Sequence, residues 1–214
     1  MRFRKTLYIV AVIGAVLLTL IVIALLILSN LKFGYVRDVS PQEKQIREEY
    51  VATAEAWLGY NKADGSHKEI VDLYNTHEPL AQNYLVSYDD KWCATFVSAA
   101  AIKSNLTEII PTECGCERQI GLFQALDRWV EDDAYIPLPG DIIYYSGSDS
   151  GIGDCTGWSD HVGIVVGVCG PYIKVVEGNV INRVAYRYVR IDGHTIRGYA
   201  TPDFSSIAEK LPTE

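Results

Sequence analysis

The sequence predicts an α+β domain in which helices from the first part of the domain pack on an antiparallel sheet formed by the second part. Before Pro137, apolar residues recur at helical spacing. From Pro137 onward, short runs rich in β-branched and aromatic residues are separated by Gly, Pro and Asp. Helices followed by strands, rather than alternating with them, favour an antiparallel sheet.

Four helices are predicted ahead of the sheet. The first begins at Pro41 with Ser40 as its N-cap, and Gly59 is a reasonable place for it to end. The second begins after Ser66. The third and fourth are predicted in "WCATFVSAAAIKS" (residues 92–104) and "CERQIGLFQALDRWVED" (residues 116–132).

Five strands are predicted after the helices. They correspond to "PLPGDIIYY", "HVGIVVGV", "YIKVVEGN", "NRVAYRYVRI" and "TIRGYATP". The runs are short and are separated by Gly, Pro and Asp, as strands joined by tight turns are.

The N-terminal part of the chain predicts a membrane span. Residues 7–28 contain no charge, and as a helix they would be about 33 Å long, enough for a hydrocarbon core of roughly 30 Å. Arg2, Arg4 and Lys5 precede this run, which favours an N-terminus inside and a domain outside. A cleaved signal peptide is the alternative. The run exceeds the usual apolar core of such peptides, and no small-x-small cleavage site follows, so an uncleaved anchor is favoured.

The chain of 214 residues is therefore divided into five parts. They are a basic cytoplasmic N-terminus (1–6), a transmembrane helix (7–28), a juxtamembrane linker (29–40), one globular domain (41–205) and a C-terminal tail (206–214).

The charge of the chain beyond the apolar run argues against polyanionic partners. The first 28 residues hold three basic residues and no acidic ones, which leaves 16 Lys and Arg against 27 Asp and Glu, a formal charge of −11. Such a domain is not expected to bind nucleic acid or anionic membrane surfaces through its net field. Oligomeric state is left open.

Five cysteines indicate a compartment outside the cytosol; they stand at positions 93, 114, 116, 155 and 169. If one is a nucleophile, the other four allow three disulfide connectivities, and the sequence does not choose among them. A zinc site at Cys114 and Cys116 is disfavoured because "CGC" lacks the C-x2-C spacing and no paired histidines follow.

Cys93 and His161 are the candidates for thiol catalysis. Cys93 lies at the predicted N-terminus of the third helix, where unpaired N–H groups and the helix dipole stabilise a thiolate. A small buried hydrophobe is the alternative for this residue. His161 opens a strand, where packing gives little reason for a histidine. His67 and His77 are expected in solvent, and His194 in a turn.

Strand pairing suggests what surrounds His161. If "CGP" (residues 169–171) is the hairpin loop, Val168 pairs with Tyr172, and His161 then faces Asn179. The same register puts Gly163 opposite Glu177, so that an amide and a carboxylate both lie near the imidazole. Either could hold the ring in one tautomer, and the choice stays open. Gly163 and Gly167 are expected to let the third helix approach the same face of the sheet.

Four ordered segments, "WCATFVS", "PLPGDIIYY", "SDHVGIVVGV" and "VVEGNV", resemble the CHAP family of cysteine, histidine-dependent amidohydrolases and peptidases, a branch of the NlpC/P60 superfamily. The resemblance covers roughly residues 50–201 and implies a papain-like core. It also implies that Cys93 is the nucleophile, that His161 is the base, and that Glu177 and Asn179 complete the site. Trp-Cys-Ala at the nucleophile favours CHAP over the narrower NlpC/P60 peptidases. Trp92, Trp158 and Asp160 are assigned to substrate binding.

The resemblance implies a hydrolase of bacterial peptidoglycan in the cytoplasmic membrane, with its catalytic domain outside. The bond would be the N-acetylmuramoyl–L-alanine amide or a peptide bond of the wall, and the sequence does not choose between them. The alternatives are an inactive scaffold that binds the wall or a partner protein, and a thiol acyltransferase.

No cofactor is expected, although some CHAP proteins bind calcium. The segment "YSGSDSGIGDCTGWSD" (residues 145–160) carries Asp149, Asp154 and Asp160, and Asp89 and Asp90 precede the cysteine. Their spacing does not match an EF-hand, so solvated turns are favoured over a calcium site.

Overall fold

The computed structural model describes residues 12–23, 32–147 and 157–211 of the chain, in two compact units, Met1–Lys32 and Phe33–Glu214. In the first unit, residues 12–23 are helical. The remainder of the predicted span 7–28 lies outside the described residues. Among the described residues, no helix combines the length and apolar character needed to cross a membrane. The membrane span therefore stays a prediction.

The second unit begins with the predicted helices. They are α1 (Pro41–Glu55), α2 (Lys68–Asn75), α3 (Cys93–Lys103) and α4 (Cys116–Ala125), and a short α5 (Phe204–Ala208) follows the sheet. Ser40 caps α1 as expected, since its Oγ accepts the Glu43 N–H at 3.1 Å. The fourth helix is shorter than predicted. It ends before Asp127, whose φ of +55° is left-handed, and the next residues form a strand instead.

The described chain contains six strands, β1 (Trp129–Val130), β2 (Ile142–Tyr145), β3 (His161–Cys169), β4 (Tyr172–Val180), β5 (Arg183–Arg190) and β6 (Ile196–Ala200). They form one antiparallel sheet in the order β1–β6–β2–β3–β4–β5. The α+β class, the antiparallel sheet and all five predicted strands are confirmed. The additional strand β1 pairs with β6, through Trp129 with Ala200 and Val130 with Tyr199.

The helices cover one face of the sheet. Val162, Ile164 and Val176 belong to the core cluster that includes the buried residues of α3. His161, Gly163 and Glu177 alternate with these residues and so belong to the opposite face. The expectation that α3 packs over Gly163 and Gly167 is therefore wrong.

Gly178 in β4 is the glycine that allows α3 to pack closely on the sheet. A Cβ at this position would lie 2.4 Å from the Phe96 Cβ, which is too close for two carbon atoms. Gly167 instead lies against the N-terminal segment, where an added Cβ would come within 2.6 Å of the Gly34 nitrogen. Gly34 exchanges backbone hydrogen bonds with Val168, so part of the segment assigned to the linker pairs with the sheet.

The β3–β4 hairpin differs from the prediction at its turn and agrees with it nearer the site. Cys169 pairs with Tyr172, so the loop has two residues rather than three. An irregularity between Val165 and Gly167 then shifts the register by one. Ile164 consequently faces Val176, as the predicted register requires. The extra residue in β3 restores the predicted register, and the Glu177 side chain lies against Gly163.

Candidate active site

Cys93 is the first residue of α3. The preceding Trp92 gives no side-chain cap, so the first N–H groups of this helix are not bound by its cap residue. The Ala94 N–H interacts with the Cys93 sulfur. Only 5% of Cys93 is exposed. Its thiol is thus placed at the positive end of a helix, as the sequence predicted.

His161 is the first residue of β3, opposite Tyr145 at the end of β2. Its Nε2 lies 2.9 Å from Oε2 of Glu177, and its ring stacks on that of Tyr145 at 5.9 Å between centroids. This leaves Nδ1 as the ring nitrogen available to the Cys93 thiol, with which the imidazole interacts. The contacts with Glu177 and Tyr145 fix the plane of the ring.

Glu177 is fully buried, and its Oε2 also accepts a hydrogen bond from Nε of Arg187 at 2.8 Å. Gly163 makes room for it, because a Cβ there would lie 2.5 Å from the Glu177 Cγ. Burial and the nearby Glu177 carboxylate raise the pKa of Tyr145, whose phenol therefore stays protonated beside the carboxylate. Of the two residues that the predicted register offered, Glu177 is the one in hydrogen-bonding contact with His161.

The electrostatics favour a thiolate–imidazolium pair. Burial by itself would lower the pKa of His161, but hydrogen bonding to Cys93 and Glu177 and their charges outweigh it and raise that pKa to about 9. The pKa of the Cys93 thiol lies well below its ordinary value. The largest cause is a hydrogen bond with Cys116, which lowers this pKa. Burial raises it, and the interaction with His161 lowers it further. The Cys93 thiolate and the His161 imidazolium therefore carry opposite charges at the same pH.

Cys116 is the group that the sequence did not place in the site. It begins α4, and its Sγ lies 3.6 Å from the Sγ of Cys93. The hydrogen bond with the Cys93 thiolate, together with burial, raises the pKa of Cys116 well above the ordinary value, so this thiol stays protonated. The anion resides on Cys93, whose thiol interacts with His161. The next residue, Glu117, accepts the Ser159 N–H at 2.9 Å and so ties α4 to the segment before His161.

Comparison with known families agrees with this geometry. Residues 83–179 match the family model of the CHAP domain. This segment is a CHAP domain. It includes both Cys93 and His161 and ends at Asn179, and CHAP domains belong to cysteine, histidine-dependent amidohydrolases and peptidases. No curated protein and no solved structure matches the chain.

The remaining predicted site residues of the CHAP domain lie in different environments. Asn179 is partly buried at the irregular end of β4, with a left-handed φ of +62°. Trp92 has no exposed surface and packs on His67, at 5.7 Å between ring centroids, which leaves it no surface to offer a substrate. Trp158 is 72% exposed, and Asp160 is exposed next to His161. The roles of Trp158, Asp160 and Asn179 stay predictions.

His67 differs from expectation. It is buried rather than solvated, and its Nε2 lies 3.1 Å from the Tyr88 carbonyl oxygen. Its ring packs against the indole of Trp92, the residue that precedes the nucleophile. His67 therefore supports the start of α3 through packing.

The candidate metal ligands give little support for a metal. Asp149 and Asp154 lie outside the described residues, and no cluster of three potential ligands occurs among the residues that are described. Asp89 pairs with Lys62, and Asp90 accepts hydrogen bonds from Tyr84 and the Ser87 N–H. These two carboxylates thus have protein partners, and the expectation that the chain takes no cofactor stays a prediction.

Proposed function

We propose that this chain is a membrane-anchored peptidoglycan hydrolase that cleaves an amide bond of the bacterial cell wall. The observation that carries the proposal is the placement of His161 between the Cys93 thiol and the buried Glu177 carboxylate. The bond is either the N-acetylmuramoyl–L-alanine amide or a peptide bond of the wall. The anchor is residues 7–28, with the domain on the outer side of the cytoplasmic membrane.

The proposed reaction is acyl transfer through a thioester. The Cys93 sulfur attacks the amide carbonyl carbon, forming a C–S bond and moving an electron pair onto the oxygen. The adduct then breaks its C–N bond while His161 gives its proton to the leaving nitrogen. Neutral His161 next removes a proton from water. The resulting hydroxide attacks the thioester carbonyl, and Cys93 leaves as a thiolate with release of the carboxylic acid.

The N-terminus of α3 contributes to this reaction in two ways. Its unpaired N–H groups favour the thiolate before attack. The backbone N–H of Cys93 is also a donor for the negative oxygen that develops on the carbonyl during attack. Glu177 stabilises the imidazolium, and Tyr145 holds the plane of its ring.

The test uses the full chain, purified in a mild detergent, and purified peptidoglycan of several wall types. Released fragments are identified by mass spectrometry, and their masses separate muramoyl-amide cleavage from peptide-bond cleavage. Wild-type protein is expected to release fragments, and Cys93→Ala none. Cys169→Ala is the matched control, because this thiol lies at the opposite end of β3.

Two outcomes would contradict the proposal. Binding to the wall without release by any variant would indicate a scaffold. Products that carry the acyl group on an added amine instead of water would indicate an acyltransferase.

A further inference from the structure

Cys116, at the start of α4, has no part in the proposed reaction although it lies beside Cys93 at the start of α3. Cys93 and Cys116 are each the first residue of a helix, and their sulfur atoms are 3.6 Å apart. Both are buried, with 5% and 8% of their surfaces exposed. Each is a free thiol in this structure.

We propose that Cys93 and Cys116 form a reversible disulfide that switches the site off in an oxidising environment. A disulfide S–S bond is about 2.0 Å long, so the two sulfurs need to approach each other by about 1.6 Å. The movement is small because the two sulfur atoms already lie next to each other. The regulatory consequence rests on the proposed function, whereas the bond itself does not.

The step needs an oxidant, and a small-molecule or protein disulfide is the class that fits. The Cys93 thiolate attacks one sulfur of that disulfide, forms a mixed disulfide and releases the first thiol. Cys116 loses its proton and attacks the Cys93 sulfur, forming the Cys93–Cys116 bond and releasing the second thiol. Two protein thiols are oxidised, and one disulfide is reduced to two thiols.

The surroundings of the two sulfurs assign them different roles in this exchange. Cys93 faces His161 and the N–H of Ala94, so it is the thiolate that attacks first. Cys116 stays protonated while Cys93 is anionic, because two adjacent thiolates repel each other. Once Cys93 carries a mixed disulfide that repulsion is gone, and Cys116 can act as the resolving thiol.

The disulfide would remove the nucleophile without unfolding the domain. The bond joins the starts of two helices that are already in contact and closes the loop between residues 93 and 116. A cross-link of this kind restricts the unfolded chain and is expected to stabilise the fold rather than disrupt it. Hydrolysis would then depend on a reductant outside the membrane, so that the wall is cut only where the site is kept reduced.

The test measures the bond itself in the full chain. The protein in mild detergent is equilibrated with mixtures of oxidised and reduced glutathione, its free thiols are blocked, and tryptic peptides are weighed. Lys91, Lys103 and Arg118 bound the two peptides concerned, and the second peptide contains Cys114 as well as Cys116. The variant Cys114→Ser resolves that ambiguity, because any remaining link in this peptide must then be to Cys116.

Wild type and Cys114→Ser are expected to form the same linked peptide pair. Cys116→Ser is expected to stop at one glutathione attached to Cys93. Oxidation should lower hydrolysis of peptidoglycan by at least about tenfold, and dithiothreitol should restore it. A link from Cys93 to another cysteine, or loss of the link in Cys114→Ser, would overturn the proposal. The comparison of wild type with Cys114→Ser decides the matter even if Cys116→Ser does not fold.

The two proposals fail in different ways. In one case the Cys93–Cys116 link forms, but the reduced protein releases nothing from the wall. This result would support the disulfide and refute the hydrolase. Reduced protein that hydrolyses the wall, with no link at any glutathione ratio, would refute the switch and leave the hydrolase.

Discussion

The buried Glu177 carboxylate holds two cationic partners with one oxygen. Its Oε2 lies 2.9 Å from His161 Nε2 and 2.8 Å from Arg187 Nε. The Arg187 guanidinium also lies over the ring of Tyr145, 5.2 Å from the ring centroid, and that ring stacks on the imidazole. The orientation of His161 therefore depends on a small network in which the carboxylate is the shared member.

Replacing Glu177 with Gln should impair catalysis more than replacing Asn179. The amide keeps the shape of the side chain but has no charge to stabilise the imidazolium that donates its proton. We expect Glu177→Gln to lower kcat by about 10²-fold or more, the usual contribution of a positioned acid–base group. Asn179→Ala should lower it far less. Rates of fragment release measure both, and the reverse order would make Asn179 the orienting residue.

The pH dependence of hydrolysis should show the charged pair. His161 keeps its proton up to a pKa of about 9, so the rate should fall as pH rises through that value and the leaving nitrogen loses its proton donor. Cys93 loses its proton well below the ordinary thiol pKa, so the acid limb should lie at a pH where ordinary thiols are protonated. Both apparent values belong to the pair rather than to either residue.

The acid limb can be checked without substrate. The rate of alkylation of Cys93 by iodoacetamide, followed by mass spectrometry, reports the thiolate directly. In Glu177→Gln the alkaline limb of hydrolysis should move to lower pH, since one of the groups that raise the His161 pKa is gone. Alkylation that begins to rise only near the ordinary thiol pKa would contradict the ion pair.

At the scale of elements, the site depends on how closely α3 approaches β4. The two meet where Gly178 faces Phe96 and Trp92, and the small residues of α3 are fully buried against the sheet. This contact holds the start of α3, and with it Cys93, next to the start of β3. The position of Cys93 is thus set by packing along the helix and not by its own hydrogen bonds alone.

Gly178→Ala should therefore destabilise the domain. The added carbon would lie 2.4 Å from the Phe96 Cβ, so α3 must move or β4 must bend, at a cost of about 1–3 kcal/mol in the free energy of unfolding. Urea unfolding measures this cost. Gly121→Ala on α4 is the matched control, because nothing lies within 4 Å of its added Cβ and alanine favours a helix. Equal effects of the two substitutions would show that the α3–β4 contact is not tight.

The sequence predicted the elements better than the contacts between them. Periodicity placed α1 to α3 and all five strands because these patterns are local. It did not show that Asp127 ends α4 or that Trp129 and Val130 pair with β6, since that pairing joins residues about 70 positions apart. It also put α3 on the wrong face, because the close-contact glycine is Gly178 and not Gly163.

The same distinction holds for the site. The sequence predicts Cys93, His161 and Glu177 from a helix start, a strand start and a register, and the structure brings these three together. It offers Cys116 only as a disulfide or zinc candidate, because nothing local shows that α4 begins beside α3. Arg187 and Tyr145 reach Glu177 from two other strands, which the sequence order does not reveal.

At the scale of the whole molecule, the domain has the same sign of charge as the anionic polymers of the wall that it is proposed to cut. The chain carries a formal charge of −8. Three of its basic residues precede the apolar run, so the part of the chain after that run has a formal charge of −11. Cell walls that bear anionic polymers should repel this domain. A membrane anchor would keep the site near the wall despite that repulsion.

Salt should therefore accelerate hydrolysis of walls that carry anionic polymers. Added salt shortens the Debye length to about 8 Å at physiological ionic strength and so screens the repulsion between domain and polymer. We expect the full chain in detergent to release fragments faster from such walls as salt rises from low to physiological concentration. The same walls stripped of their anionic polymers are the matched control and should show little change. Slower release from the intact walls at higher salt would contradict this expectation. It would mean that a local basic surface binds the polymer and outweighs the net charge. The domain would then not need an anchor to stay near the wall.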